Sequence, residues 1–342
     1  MDTRLLRLYE EELRYLRAMG GEFAREYPKV AGRLALDGFE CADPYVERLL
    51  EGVAFLTARI QLKLGEQFPD FTRNLLDVVH PQLACPVPSM AVVELEPDLT
   101  EGALAEGFPV PRGTILRSVL GKGEKTACEY RTAHPITLWP LQITGARYLP
   151  SASAIAADGL PQRNGARAAL RLHLQVTAGA QLADLALDTL PVYLPGNDEI
   201  ATWLYEQIFG ACVGFTLRGD PAHDNVRWLP AKSVRQLGFE AEESLLPSSR
   251  RGFEGYRLLQ EYFAFPQRYL FFELGGMAEA IRELPGAQLE ITLYFDRADA
   301  RLDHAVQVER FGLFASPVVN LFPMTTDRIH LNSYDTELHV VP

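Results

Sequence analysis

Residues Gly255–Leu274 read GYRLLQEYFAFPQRYLFFEL, and this aromatic stretch carries the clearest local structure signal in the chain. Tyr256, Leu259 and Phe263 repeat at helical spacing, and Pro266 should end that helix because proline lacks an amide donor and clashes with the preceding turn. The letters YLFFEL then predict a short buried strand. We expect the aromatic rings to lie in the core, with a protein interface as the alternative. No catalytic signature accompanies them.

The first 80 residues have the pattern of amphipathic helices. One helix is capped by Asp2 or Thr3, is bent or broken at Gly20-Gly21 and stops at Pro28. A second begins with Asp43 as N-cap and Pro44 at the first helical position, and Pro69 ends it. Asp70 caps a third, which Pro81 ends. The apolar stripes consist of Leu6, Tyr9, Leu13, Leu16 and Phe23 in the first helix, and Val46, Leu49, Leu50, Val53, Leu56, Ile60 and Leu64 in the second.

These predicted helices form a bundle or an elongated arm, because short connections favour packing between neighbours. Their stripes pack against each other or dock a partner chain, and the pattern leaves both readings open.

Composition changes after Pro81, Pro86 and Pro88, and β patterns follow. Residues 166–179 alternate apolar and polar side chains, as expected of a half-buried strand. Residues 151–165 predict a small-residue loop, and HAVQVERFGLFASP from His304 predicts a helix and then a loop. We therefore predict an α+β protein: an N-terminal helical arm or bundle, then mainly antiparallel β domains with a few short helices. The predicted domains are 1–85, 86–195 and 196–342, the last starting with a helix that Asn197 or Asp198 caps and Gly210 closes.

Size and charge restrict the partners. A chain of 342 residues suggests two or three domains. The formal net charge of −12 disfavours binding to nucleic acid or anionic lipid. The N-terminus lacks the apolar segment of a signal peptide, and no apolar run is long enough for a membrane span, so we expect no membrane insertion. Cys41, Cys85, Cys128 and Cys212 have no metal-ligand spacing, and we expect reduced, mostly buried thiols.

Motifs for catalysis or cofactor binding are absent from the sequence. The run GKGEK at Gly121–Lys125 lacks the spacing of a phosphate loop and predicts a hairpin tip. Seven histidines are scattered along the chain, and Glu240, Glu242 and Glu243 predict a solvated loop that continues through Ser248–Arg251. We assign no catalytic, cofactor-binding or metal residue and expect no enzyme activity. The alternatives are a hydrolase with an unrecognised site, or a β-rich binding module suggested only by Trp139, Trp203 and Trp228, which we expect to be buried.

Three segments together resemble one family. They are the opening YEEELRYLRAMGGEFAREYPKVAGRL with its continuation DPYVERLLEGVAFLTARIQLKLGEQFPDFTRNLLDVVHPQLACPVPSM, the aromatic stretch, and the ending PVVNLFPMTTDRIHLNSYDTELHVVP. They are similar to the TssF (ImpG or VasA) family of the bacterial type VI secretion system. The match runs from the first residues to the last.

The resemblance implies a structural role. Members of the family assemble in the cytoplasm with TssG and TssK into baseplate wedges, two copies of TssF with one of TssG. The wedges surround the VgrG spike hub, serve as the platform for the contractile tube and sheath, and dock at the inner-membrane complex of a Gram-negative bacterium. The family has no catalytic motif to transfer and no required cofactor, and its interface residues stay unassigned.

Family members are considerably longer and normally continue past the HVVP element. This chain therefore resembles an N-terminal part of such a protein, and Pro342 is its last residue.

Overall fold

The computed structural model describes residues 3–34, 36–37, 40–41, 43–98, 102–121, 123, 125–163, 165–196, 199–220, 225–247, 253–330, 334 and 338. The chain forms two compact units, Met1–Cys85 and Pro86–Pro342.

A pair of long helices makes up most of the first unit. Glu12 lies beside Gln61 and Arg17 beside Glu47, so the two helices run antiparallel as a hairpin. A short antiparallel strand pair lies between them in sequence. The elements are α1 (Thr3–Glu26), α2 (Pro28–Ala31), β1 (Leu36–Asp37), β2 (Glu40–Cys41) and α3 (Pro44–Val79).

The start of α3 is as predicted, because the Asp43 carboxylate accepts a hydrogen bond from the Tyr45 amide at 2.9 Å. The predicted break at Gly20-Gly21 is absent, because α1 continues through both glycines. The predicted helix end at Pro69 is wrong, because Pro69 lies inside α3 and the third helix is a continuation of the second. Proline at this position removes one amide donor, and the helix continues on both sides of it as far as Val79. Asp2 lies outside the described residues.

The second unit is built from antiparallel sheets with short helices between the strands, as the sequence predicts. Its strands are β3 (Met90–Glu94), β4 (Phe108–Val110), β5 (Ile115–Arg117), β6 (Glu129–Thr132), β7 (Ile136–Leu138), β8 (Leu141–Leu149), β9 (Ala168–Val176), β10 (Leu190–Tyr193), β11 (Cys212–Arg218), β12 (Val226–Pro230), β13 (Val234–Gln236), β14 (Phe271–Leu274), β15 (Gln288–Phe295), β16 (Gly312–Leu313) and β17 (Ala315–Val319). Its helices are α4 (Ala152–Ala157), α5 (Glu199–Gly210), α6 (Glu254–Ala264) and α7 (Ala278–Arg282).

The largest sheet has the strand order β12-β11-β15-β9-β8. Along β9 the predicted alternation is present, since Leu170, Leu172 and Leu174 are buried while Arg171 and His173 are only partly so. Two four-stranded sheets have the orders β13-β14-β10-β16 and β3-β17-β6-β5, and β4 pairs with β7.

Residues on both sides of position 195 contribute strands to the same sheets. Strand β9 pairs with β15, and β10 pairs with β14. One continuous apolar core joins the five-stranded sheet, the β10–β14 sheet and helix α5. Residues 86–342 therefore form one compact unit.

Some local predictions need correction. Residues 152–157 of the predicted loop form helix α4, which the Ser151 hydroxyl caps. The stretch from His304 has no α-helix, since Val308–Arg310 forms only a 3₁₀ turn, and β16 and β17 follow in place of the predicted loop. Its rings and branched side chains favour strand, and β17 is buried throughout. Asn197 and Asp198 lie outside the described residues, and α5 runs from Glu199 to Gly210.

Candidate protein interfaces

Helix α3 has an apolar stripe that faces solvent along most of its length. The side chains repeat every three or four residues, so they share one side of the helix. Leu56 and Ile60 are each 59% exposed. A monomeric soluble protein rarely leaves so large an apolar surface uncovered. The members of this α3 stripe are Leu49, Val53, Leu56, Ile60, Leu64, Phe68, Phe71 and Leu75.

A different side of α3 packs against α1. Ala54 and Ala58 are fully buried in this contact, and Leu50 and Leu62 are partly buried. Small side chains let the helices approach closely, while the bulky stripe remains outside. The reading that the stripes pack against each other therefore applies to part of the apolar surface of α3, while the larger part is exposed and its docking of a partner chain stays a prediction.

The aromatic stretch is divided between surface and core. It forms α6, a 3₁₀ turn at Pro266–Tyr269 and β14, so the predicted helix, proline stop and strand are present. Phe271 is buried, with its ring stacked on Tyr193 at 4.6 Å between centroids. Phe263 is instead 81% exposed, and the expectation that it is core is wrong. The exposed rings and leucine define the α6 face: Phe253, Tyr256, Leu259, Tyr262 and Phe263.

A groove of about 610 Å³ adjoins the α6 face. Its lining is mostly apolar and aromatic, including Phe239, Leu258, Tyr262 and Tyr269. Tyr205 also lines it, and its buried hydroxyl has no hydrogen-bond partner in the described part of the chain. Burial raises the pKa of Tyr205 to about 12, so the phenol stays a neutral donor.

A buried ionic cluster lies under α6. Glu261 is 0% exposed and accepts hydrogen bonds from the Leu245 and Leu246 amides at 3.1 and 2.8 Å. The same carboxylate pairs with Arg257 at 3.3 Å and with fully buried Arg268. The Arg268 guanidinium also donates to the Glu243 carbonyl at 2.8 Å, and burial lowers its pKa. This cluster fixes one side of α6 to the β unit.

Glu243 itself departs from the predicted solvated loop. It is buried and accepts hydrogen bonds from the Gly238 amide at 2.5 Å and the Arg235 guanidinium at 3.4 Å. Glu240 and Glu242 are exposed as expected. Ser248–Arg251, like Lys122 and Glu124 of GKGEK, lie outside the described residues.

His134 lies next to a serine, but the two residues do not form a catalytic dyad. His134 is buried, and burial and Arg268 lower its pKa to about 3. The neighbouring Ser316 hydroxyl accepts a hydrogen bond from the His134 backbone amide at 3.0 Å and donates one to its carbonyl at 3.3 Å. The contact is therefore with the backbone, and the Nε2 atom of His134 has no partner among the described residues. This geometry does not activate a hydroxyl.

The remaining candidate residues are dispersed. The thiols of Cys85 and Cys128 are exposed, so the expectation of mostly buried cysteines is wrong for them, while burial raises the pKa of Cys212 to about 11. Trp139 is buried as expected, but Trp228 is exposed and Trp203 only partly covered.

Within the described ranges no group of His, Cys, Asp and Glu could hold a metal ion. Over the same residues, no helix has the length and apolarity that crossing a membrane requires.

Comparison with known proteins decides the family. A family model described as "Type VI secretion system, TssF" matches residues 1–342. The chain belongs to the TssF family. It is 50% identical over 342 residues to the type VI secretion system component TssF1 of Pseudomonas aeruginosa. The matched region covers 100% of this chain and 55% of that protein. The chain thus spans about half the length of this curated relative.

Solved structures of baseplate complexes are also similar. One is a chain of a TssK-TssF-TssG baseplate subcomplex determined by cryo-electron microscopy, with 26% identity and a TM-score of 0.62. The match covers 86% of this chain and 53% of the chain in the subcomplex. A chain of a type VI secretion system baseplate complex matches 97% of this chain and 54% of its own length, with 26% identity and a TM-score of 0.43.

Proposed function

We propose that this chain is a non-catalytic structural subunit of the type VI secretion baseplate wedge. Membership of the TssF family supports this role. The similar cryo-electron microscopy chain belongs to a TssK-TssF-TssG subcomplex, which makes TssG and TssK the proposed partners. The structural observation that carries the proposal is the α3 stripe, because an apolar surface of this length is typical of an interface that a partner covers.

The wider assembly is part of the same proposal. A second TssF copy joins the wedge, the wedges surround the VgrG spike hub, and the finished platform supports tube and sheath assembly. The site of action is the cytoplasm, with the baseplate docked at the inner-membrane complex. The proposal includes no cofactor and no nucleic acid.

The proposed mechanism depends on geometry. The β unit keeps its shape while the helical hairpin binds neighbouring subunits. Contraction then proceeds by rigid-body movement at interfaces, as in other two-state assemblies.

The proposed function is tested by co-expressing the chain with TssG and TssK of the same secretion system. Light scattering on the purified material gives the stoichiometry. A stable complex with two copies of this chain per TssG supports the proposal. A monomer that co-purifies with neither partner contradicts it.

A further inference from the structure

The α6 face is a second uncovered apolar surface, and it lies wholly within the β unit. Tyr256, Leu259 and Phe263 repeat at i, i+3 and i+7, so they point to one side of α6. The groove lined by Phe239 and Tyr262 continues this surface. Scattered exposed apolar residues need no explanation, but a contiguous face with an adjoining groove is typical of a covered site.

The α6 face is held in place by the structure beneath it. Glu261, Arg257 and Arg268 fix the opposite side of the helix, and the Tyr269 hydroxyl donates to the Leu258 carbonyl at 3.1 Å. Since these contacts are buried, α6 presents its apolar side in a preformed arrangement. A preformed surface binds its partner with a smaller entropy cost than a surface that must first fold.

The last strand of the β unit ends next to this face. Val319, the last residue of β17, packs in one apolar cluster with Leu245 and Phe265, and Phe265 directly follows α6. Residues 321–330 beyond it are exposed and have no regular secondary structure, with Phe322 and Met324 among them. Residues 320–330, which directly follow β17, therefore start beside the C-terminal end of α6.

The curated relative contains polypeptide that could cover the α6 face. This chain covers only 55% of that protein, so almost half of the relative's polypeptide has no counterpart here. We infer that the α6 face is an internal docking surface for that additional part of the TssF polypeptide. Docking covers the exposed rings of the α6 face. The inference rests on family membership, and not on the proposed binding of TssG and TssK.

Cysteine labelling tests this inference without any partner protein. Phe263→Cys and Tyr256→Cys report on the α6 face, and Val119→Cys, at a position 93% exposed in the same unit, is the matched control. Each is made in this 342-residue chain and at the aligned position of full-length Pseudomonas aeruginosa TssF1. Maleimide reaction rates are read for each peptide by mass spectrometry, so native Cys85 and Cys128 do not interfere.

We expect positions 263 and 256 to react at least about tenfold more slowly in the full-length relative than in this chain, because docking removes them from solvent. Position 119 should react rapidly in both. Equal rates at position 263 in the two proteins would overturn the inference. Protection that appears only when TssG is added, or that rises with protein concentration, would assign the face to another occupant and overturn it as well.

Discussion

Two phenylalanines of one short stretch have opposite environments. Phe263 and Phe271 are both apolar, both close to Pro266, and the sequence predicts the same core position for each. The structure buries Phe271 between Tyr193 and His134 and leaves Phe263 in solvent. Apolar periodicity predicts which residues share a face, but it does not predict whether the chain itself or another segment covers that face.

Phe271→Ala and Phe263→Ala should therefore have very different effects. Loss of the buried ring should reduce the free energy of unfolding by about 3–5 kcal/mol, while loss of the exposed ring should change it by about 0.5 kcal/mol or less. Urea denaturation of both variants measures this difference. Similar losses in the two variants would show that the assigned environments are wrong.

Glu261 should be the most sensitive charged residue of the β unit. Glu261→Gln leaves fully buried Arg268 without its carboxylate and Arg257 with only the half-exposed Glu254, so we expect a loss of about 3–5 kcal/mol in the free energy of unfolding. Glu254→Gln is the matched control, because Glu254 pairs with the same Arg257 at 2.8 Å but is half-exposed. Its loss should be about 1 kcal/mol or less. Chemical denaturation compares them, and equal losses would contradict the role of Glu261.

His134 should make stability depend on pH. Its pKa is about 3 in the folded protein and about 6.5 when unfolded, so the unfolded state binds the extra proton between these values. Stability is therefore lost as pH falls below about 6.5, by up to about 1.4 kcal/mol per pH unit from this residue. His134→Phe removes the titration. The unfolding free energy of this variant relative to wild type should rise as pH falls from 7 to 4, and a constant difference would refute the assignment.

At the scale of single elements, the sequence pattern predicts the long helices and the strands with alternating burial. Asp43-Pro44 correctly predicts the start of α3, and the alternation along β9 correctly predicts a half-buried strand. The continuation of α3 through Pro69 was not predictable, because the helical residues on both sides offset the one missing hydrogen bond. Strand order was not predictable either. Pairs such as β9 with β15 join residues more than a hundred positions apart, and local pattern carries no information on them.

Pro69→Ala should stabilise the helical hairpin. Alanine restores an amide donor to the Gly65 carbonyl and removes the ring from the helix interior, so we expect a gain of about 1–3 kcal/mol. Thermal unfolding followed by far-ultraviolet circular dichroism measures it. Gly65→Ala is an independent comparison in the same exposed helix and should gain about 1 kcal/mol. An unchanged or lower midpoint for Pro69→Ala would show that the proline is accommodated without cost.

At the scale of the whole molecule, the two units leave different kinds of surface. The helical hairpin has the long α3 stripe, and the β unit has the shorter α6 face held over an ionic cluster. Resemblance of three sequence segments correctly predicted the TssF family. Which apolar residues stay exposed on each unit could not be predicted, because exposed and core residues are equally apolar.

We propose that this chain acts by presenting the α3 stripe to other wedge subunits. The most direct measurement is co-purification with TssG and TssK of the double variant Leu56→Glu/Ile60→Glu. Lys63→Glu, an exposed substitution on the same helix, is the control. We predict that wild type and Lys63→Glu form the complex while the double variant, with an unchanged circular dichroism spectrum, does not. A double variant that assembles as well as wild type would contradict the account.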